Sequence, residues 1–234
     1  MISSPFLIDA DKRVPVITVA VALLTAAVSI VALAHPHLLH SLERHPTSGA
    51  SRASWRLVTS LFVHDGWFAL AFNLIGFTIV GSAVERRMGA ARWIVVYLVG
   101  GIVGERVGIR WQPVGAGNSV ATFGLVGALV AVTLRVARTP TTFAVLFASE
   151  WVLVYTGLAL HGVAGALVAG AVCAPLSAVV GRLRETSPRA LNVALAAGTL
   201  ALAAALCIMH DIHGPPLIVG AFIGAILHRD FGPR

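Results

Sequence analysis

The sequence predicts an all-α fold, a polytopic transmembrane helix bundle, on three observations. The 234 residues are 57% hydrophobic and only 12% charged, too apolar for a soluble domain of this length. The apolar residues collect into runs close to the ~20 needed to cross a bilayer as a helix. The basic residues, which give a formal net charge of +7, fall in short clusters between those runs. That placement is an orientation signal rather than a nucleic-acid surface, so no nucleic-acid partner is expected.

The runs span residues 14–34, 58–84, 91–110, 118–136, 141–157, 158–181, 190–209 and 215–228, which predicts eight helices. The first follows Lys12-Arg13 and ends at Ala32-Leu33-Ala34, a pattern shared with cleaved secretory signals. Its apolar stretch exceeds the usual ~7–15 residues of a signal core, which favours a retained helix. The longest polar insertion, His35 to Ala53, follows it. Its His35, His37, His40 and His45 lack both a carboxylate cluster and a regular spacing, so a solvated loop is preferred to a metal site. The second run holds His64 and Asn73, and the third has Gly100, Gly104 and Gly108 at four-residue intervals. Gly124 and Gly127 in the fourth run, and Gly220 and Gly224 in the last, continue the small-residue pattern that lets helices approach closely in lipid. Residues 141 to 181 are one apolar stretch interrupted by Glu150 and His161. At ~1.5 Å per residue this is too long for one crossing and right for two, divided near Gly157. The last run is short, a tilted or partial span.

With the N-terminus cytoplasmic, twelve basic residues lie on that side: Lys12, Arg13, Arg86, Arg87, Arg92, Arg135, Arg138, Arg182, Arg184, Arg189, Arg229 and Arg234. Five, namely Arg44, Arg52, Arg56, Arg106 and Arg110, lie opposite. The expectation is an integral protein of a bacterial cell membrane with both termini cytoplasmic. Cys173 and Cys207 sit within apolar runs and read as small packing residues rather than a disulfide or zinc pair.

Ser119, Asn73 and two histidines are the polar groups that carry chemistry within this apolar background. Ser119 follows Gly117-Asn118 at the start of the fourth helix, where unpaired backbone N–H groups can stabilise an oxyanion; serine is also an ordinary packing residue in membranes. His161, one turn into the sixth helix, starts from the same side of the membrane and can serve as base to Ser119, or else pair structurally with a neighbouring helix. Asn73 can supply an oxyanion donor or interhelical hydrogen bonds. His213, in Asp211-Ile212-His213-Gly214, competes with His161, and Asp211 is placed to orient it. The 42 residues from Ser119 to His161 accommodate one intervening helix and His213 requires three, and the residues by themselves leave both histidines open. Glu150, deep in a predicted span, reads as a structural pairing residue or, in a third interpretation, part of a transporter.

With these residues in view, the chain resembles the rhomboid family of intramembrane serine proteases. The resemblance rests on Trp55-Arg56 with Thr59 and Phe62, His64 and Asn73, Glu85 with Gly89, Gly117-x-Ser119 with Phe123-Gly124-Leu125 and Gly127, and His161 followed by Gly162 and Gly165. It implies a six-helix core over residues 14–182, after a cytoplasmic segment 1–13, with two additional C-terminal helices in 183–234. It further implies a Ser119–His161 dyad, an oxyanion site from Asn73 and the Ser119 backbone, His64 and Gly117 in support, and Phe123 as the ring against which the imidazole packs. No metal or cofactor is implied; the partners are transmembrane protein substrates or clients and the lipid bilayer. Two positions depart from the family pattern. Val120 replaces the glycine after the serine, where a β-branched side chain is expected to crowd substrate or tilt the oxyanion backbone. Ala69 replaces a second histidine, and loss of one such donor typically costs ~10²–10³ in rate. The expected function is intramembrane proteolysis; the alternative is an inactive rhomboid-like protein that binds membrane clients without cutting them.

Overall fold

The computed structural model describes residues 14–49, 53–135, 143–183 and 186–227. In chain order the helices are α1 (Val16–Ala34), α2 (Pro36–Leu42), α3 (Arg56–Thr59), α4 (Trp67–Met88), α5 (Ala90–Trp111), α6 (Ser119–Arg135), α7 (Phe143–Leu183), α8 (Pro188–Ile208) and α9 (Gly214–Leu227). No β-strand occurs among the described residues, only an isolated antiparallel bridge between Arg44 and Gly115. Among the described residues four helices, α1, α4, α7 and α8, are long and apolar enough to cross a membrane. Of the basic residues used for orientation, Lys12, Arg13, Arg52, Arg138, Arg184, Arg229 and Arg234 lie outside the described residues.

On α1, polar and small side chains face inward, while large apolar ones face out. On α1 the buried residues are Thr18, Thr25, Ser29 and Ala32, whereas Leu23, Leu24, Ile30 and Val31 are exposed. That pattern suits lipid, which removes the drive to hide leucine and leaves close packing and hydrogen bonds to join helices. Glu85 of α4 fastens the start of α1, accepting from the Ile17 N–H at 3.0 Å, the Thr18 N–H at 2.8 Å and the Thr18 hydroxyl at 2.7 Å. Those N–H groups have no partner within their own helix, and the carboxylate also complements the positive end of its dipole.

α6 is the centre of the bundle, with every residue from Ser119 to Thr133 buried. A helix enclosed by protein on all sides need not match the lipid thickness, which accommodates its 17 residues, or ~25 Å. The glycine positions make the enclosure possible. Gly100 of α5 meets the Gly124 backbone, and a Cβ at Gly220 of α9 would collide with the Gly124 carbonyl. A Cβ at Gly127 would likewise strike the Leu217 carbonyl. α9 is thus packed backbone to backbone on α6.

Two boundaries differ from the sequence expectation. The run 58–84 is not one helix: α3 and a 3₁₀ turn at Ser60–Phe62 precede an extended break, and α4 starts after Gly66 (φ −166°, ψ 153°). His64 therefore sits in the loop leading into α4. The long apolar stretch folds as a hairpin, but its reversal is at His161 and Gly162 (φ +61°, ψ −147°), a left-handed conformation suited to glycine, rather than near Gly157. Gly157 instead lets the two arms of α7 approach, since a Cβ there would meet the Gly165 carbonyl. Glu150 accepts a hydrogen bond from Ser177 across the same hairpin. The last two helices pack within the bundle. α9 occupies the centre beside α6, and the outward-facing element is the second arm of α7, which exposes Val163, Leu167, Val168 and Val172.

Candidate active site

The turn before α6 is shaped by Gly117, whose φ of +145° is left-handed and whose N–H donates to the Ser60 carbonyl at 2.9 Å. The first helical bond runs from the Thr122 N–H to the Asn118 carbonyl at 2.9 Å. The opening N–H groups of α6, that of Ser119 among them, precede the helical ladder and point to the helix N-terminus.

Ser119 Oγ lies 3.0 Å from His213 Nε2. The imidazole is fixed on its other side by Asp211, whose Oδ1 is 2.7 Å from Nδ1. The ring packs between Phe123, at 4.7 Å between centroids, and Tyr155, at 4.6 Å. With the Nδ1 proton donated to the carboxylate, Nε2 presents its lone pair to the serine hydroxyl. Burial tends to raise the Asp211 pKa, but the His213 charge, together with hydrogen bonds from His213 and Gln112, outweighs it and holds the carboxyl at about 2. Ser119 is 7% exposed, so its hydroxyl is nearly enclosed.

The structure does not bring together Ser119 and His161, the pair expected from the family resemblance. His161 is exposed at the tip of the α7 hairpin, and Ser119 meets His213 instead. Three helical segments, the two arms of α7 and then α8, separate the partners in sequence, and α9 returns beside α6 to bring them together. Phe123 does pack against an imidazole, that of His213.

Asn73 reaches the same place from α4. Its Oδ1 accepts from the Tyr155 hydroxyl, which turns Nδ2 toward Gly117. A Cβ on Gly117 would lie 3.5 Å from Ser119 Oγ, 3.7 Å from Asn73 Nδ2 and 3.7 Å from His64 Cδ2, so the missing side chain leaves a small space bounded by these three groups. His64 Nδ1 is 3.1 Å from Ser29 Oγ of α1. Burial pushes this imidazole down to about 4, against Asn118 and Asp65, which favour the charged ring. His64 is accordingly a neutral wall of the space rather than a proton carrier at neutral pH.

Val120 does not crowd this space. Its side chain is directed at α5, where it fills the notch left by Gly104 beside Pro216. The steric consequence expected of the valine is therefore absent on the Ser119 side. Ala69 has no side-chain donor to offer at its position on α4. Tyr155 and Gln112 were not singled out in the sequence, although a tyrosine in an apolar helix signals that its hydroxyl needs a partner.

Fold and site together define a polytopic integral membrane protein in which the side chains of Ser119, His213 and Asp211 meet. A family model described as the rhomboid domain matches residues 51–229, and the chain belongs to the rhomboid family. The match runs through α8 and α9, including His213. The chain is 43% identical over 81 residues to the rhomboid protease GluP of Bacillus subtilis, covering 34% of this chain and 16% of that protein. It is 34% identical over 79 residues to rhomboid-like protease 3 of Toxoplasma gondii, covering 33% and 30% respectively. It is also 33% identical over 78 residues to the inactive rhomboid-like protein 8 of Arabidopsis thaliana, covering 32% and 22%. The chain thus spans less than a third of the length of each of these relatives. Membership supports a role as an intramembrane serine protease or an inactive rhomboid-like protein.

Proposed function

We propose that this protein is an intramembrane serine protease that cleaves single-span membrane proteins near their extracytoplasmic ends. The observation that carries the reading is the 3.0 Å hydrogen bond between Ser119 Oγ and His213 Nε2, on two helices packed at glycine contacts. Ser119 attacks the scissile carbonyl while His213 Nε2 takes its proton; the imidazolium then protonates the leaving amine. Water deprotonated by His213 hydrolyses the acyl-enzyme and restores Ser119. Asn73 Nδ2 and the Ser119 N–H donate to the oxyanion in the space beside Gly117. The bilayer orientation that fits the basic residues puts this end of the bundle outside and both termini in the cytoplasm.

The test is covalent labelling. The full chain in detergent or proteoliposomes is treated with a serine-reactive fluorophosphonate, and the adduct is located by mass spectrometry. One adduct on Ser119 is expected, with concurrent loss of cleavage of a single-span reporter. Folded protein that takes no label at Ser119 and cuts no reporter excludes the protease reading.

The second reading, a non-cleaving client binder, is favoured by Ala69, which lacks the family's donor, and by the similarity to a relative named as inactive. Co-purification of a single-span client without product fragments would select it.

Tyr155 supplies a graded check on the oxyanion assignment. In Tyr155→Phe the Asn73 amide loses the bond that orients it, and kcat for the reporter is expected to fall about 3–10-fold, the value of one neutral hydrogen bond. Unchanged kcat would show that Asn73 needs no such restraint.

A further inference from the structure

We infer that Asp211 is a positioning residue for His213, so that the site operates as a carboxylate–imidazole–serine relay of contacts rather than as an isolated pair. This rests on the proposed protease function. The geometry specifies more than a helix cap. Asp211 Oδ1 accepts the His213 backbone N–H at 2.9 Å, which alone would serve to start α9. The same oxygen also takes the ring Nδ1 at 2.7 Å, a contact the cap does not need. That second bond selects the tautomer whose Nε2 faces Ser119 and stabilises the imidazolium formed when the serine proton moves.

The carboxylate is itself held. Asp211 Oδ2 accepts from Gln112 Nε2 at 3.3 Å, at the end of α5. The Gln112 carbonyl in turn accepts from Arg44 Nε at 3.0 Å and Nη2 at 2.7 Å. Arg44 is 1% exposed and is anchored by Glu105 and by its bridge to Gly115, just before the nucleophile turn. A continuous polar chain therefore runs from the loop after α1 through Arg44, Gln112 and Asp211 to His213 and Ser119. Such support of the group that orients a catalytic base restricts the rotation that would spoil its alignment.

Several ionisable groups face His213 or its carboxylate. They are Asp211 on the α8–α9 turn, Glu105 of α5 paired with Arg44, Tyr155 of α7, and Cys207 of α8 beside Asp211. From α6 come the uncharged Ser119 and Phe123. Among them, the carboxylate that contacts the ring directly is that of Asp211.

The experiment compares wild type, Asp211→Asn and Asp211→Ala as full chains in proteoliposomes, measuring kcat, KM and the pH profile of kcat/KM on a single-span reporter, with thermal melting alongside. Asparagine retains an oxygen to accept the His213 N–H but removes the charge. Amide replacement of a fully buried triad aspartate costs ~10⁴ in kcat. Because the Asp211 side chain keeps 13% exposure, a loss of about 10²-fold is expected, with KM within about two-fold. The acid limb of the profile is expected to move to lower pH, because a neutral amide no longer favours the charged ring. Asp211→Ala loses the cap as well and should melt lower than Asp211→Asn. Wild-type kcat and an unmoved acid limb in Asp211→Asn would overturn the inference. So would a rate loss matched by a lower melting temperature with the acid limb in place, since that is the signature of the cap alone. Either result, with wild-type protein still labelled and active, would leave the protease reading standing; failure of wild type to label or cut is the separate failure of that reading.

Discussion

His213→Ala is expected to reduce reporter cleavage by ~10⁴-fold or more, as does Ser119→Ala, because the two groups act as a unit and loss of either removes the proton transfer. The double variant should be scarcely worse than either single one, which is the mark of a shared step. His161→Ala is expected to change the rate by no more than about two-fold, since it is exposed at a hairpin tip and such surface substitutions cost ~0.5 kcal/mol or less. Steady-state cleavage by the four purified variants, each checked for helical content, decides the matter. Full activity in His213→Ala together with loss in His161→Ala would reverse the assignment drawn from the 3.0 Å contact.

The preference for His161 in the sequence has a physical origin. A helix reads as apolar whether it faces lipid or protein, so hydropathy marks crossings without saying which crossings pack on which. The second hairpin arm, residues 163–183, is an apolar run like the central helix, yet it buries Gly165, Ala169 and Val180 alone and exposes most of its large side chains. Counting helices from Ser119 therefore stops one hairpin too soon. Sequence features that depend on close backbone contact were more readable. Gly124, Gly127 and Gly220 fall where α6 meets α9, and Gly117 falls where the chain needs a left-handed turn. Ser119, Asn73, His64 and Phe123 stand out in the sequence because they match the pattern of the family that the chain resembles, and the fold gathers them around Gly117 and His213. Tyr155, Gln112 and the buried Arg44–Glu105 pair were not, because each acts through a contact between residues 61 to 99 positions apart. Nothing local in the chain specifies such a partner. The consequence of Val120 was also illegible, since only the crossing of α5 over α6 determines that its methyls enter the Gly104 notch.

The glycine contacts yield the second large effect. In Gly220→Ala the new methyl would occupy the position of the Gly124 carbonyl, and neither group is the flexible end of a side chain. Relief requires α9 to move away from α6 as a backbone, an overpacking cost of about 1–3 kcal/mol or more. His213 rides on the start of α9, seven residues before Gly220, and Ser119 lies five residues before Gly124. Displacement at the crossing is therefore delivered to both partners of the 3.0 Å hydrogen bond. A misplacement of ~1 Å suffices to lower a rate by ~10²-fold, so cleavage should fall by at least that factor while circular dichroism still reports a helical protein. Gly198→Ala on α8 is the matched control, because nothing lies within 4 Å of a Cβ there. It should cleave and label as wild type. Near-normal activity in Gly220→Ala would mean that α9 can shift without moving His213, and the rigid α6–α9 contact would no longer account for the alignment of the site.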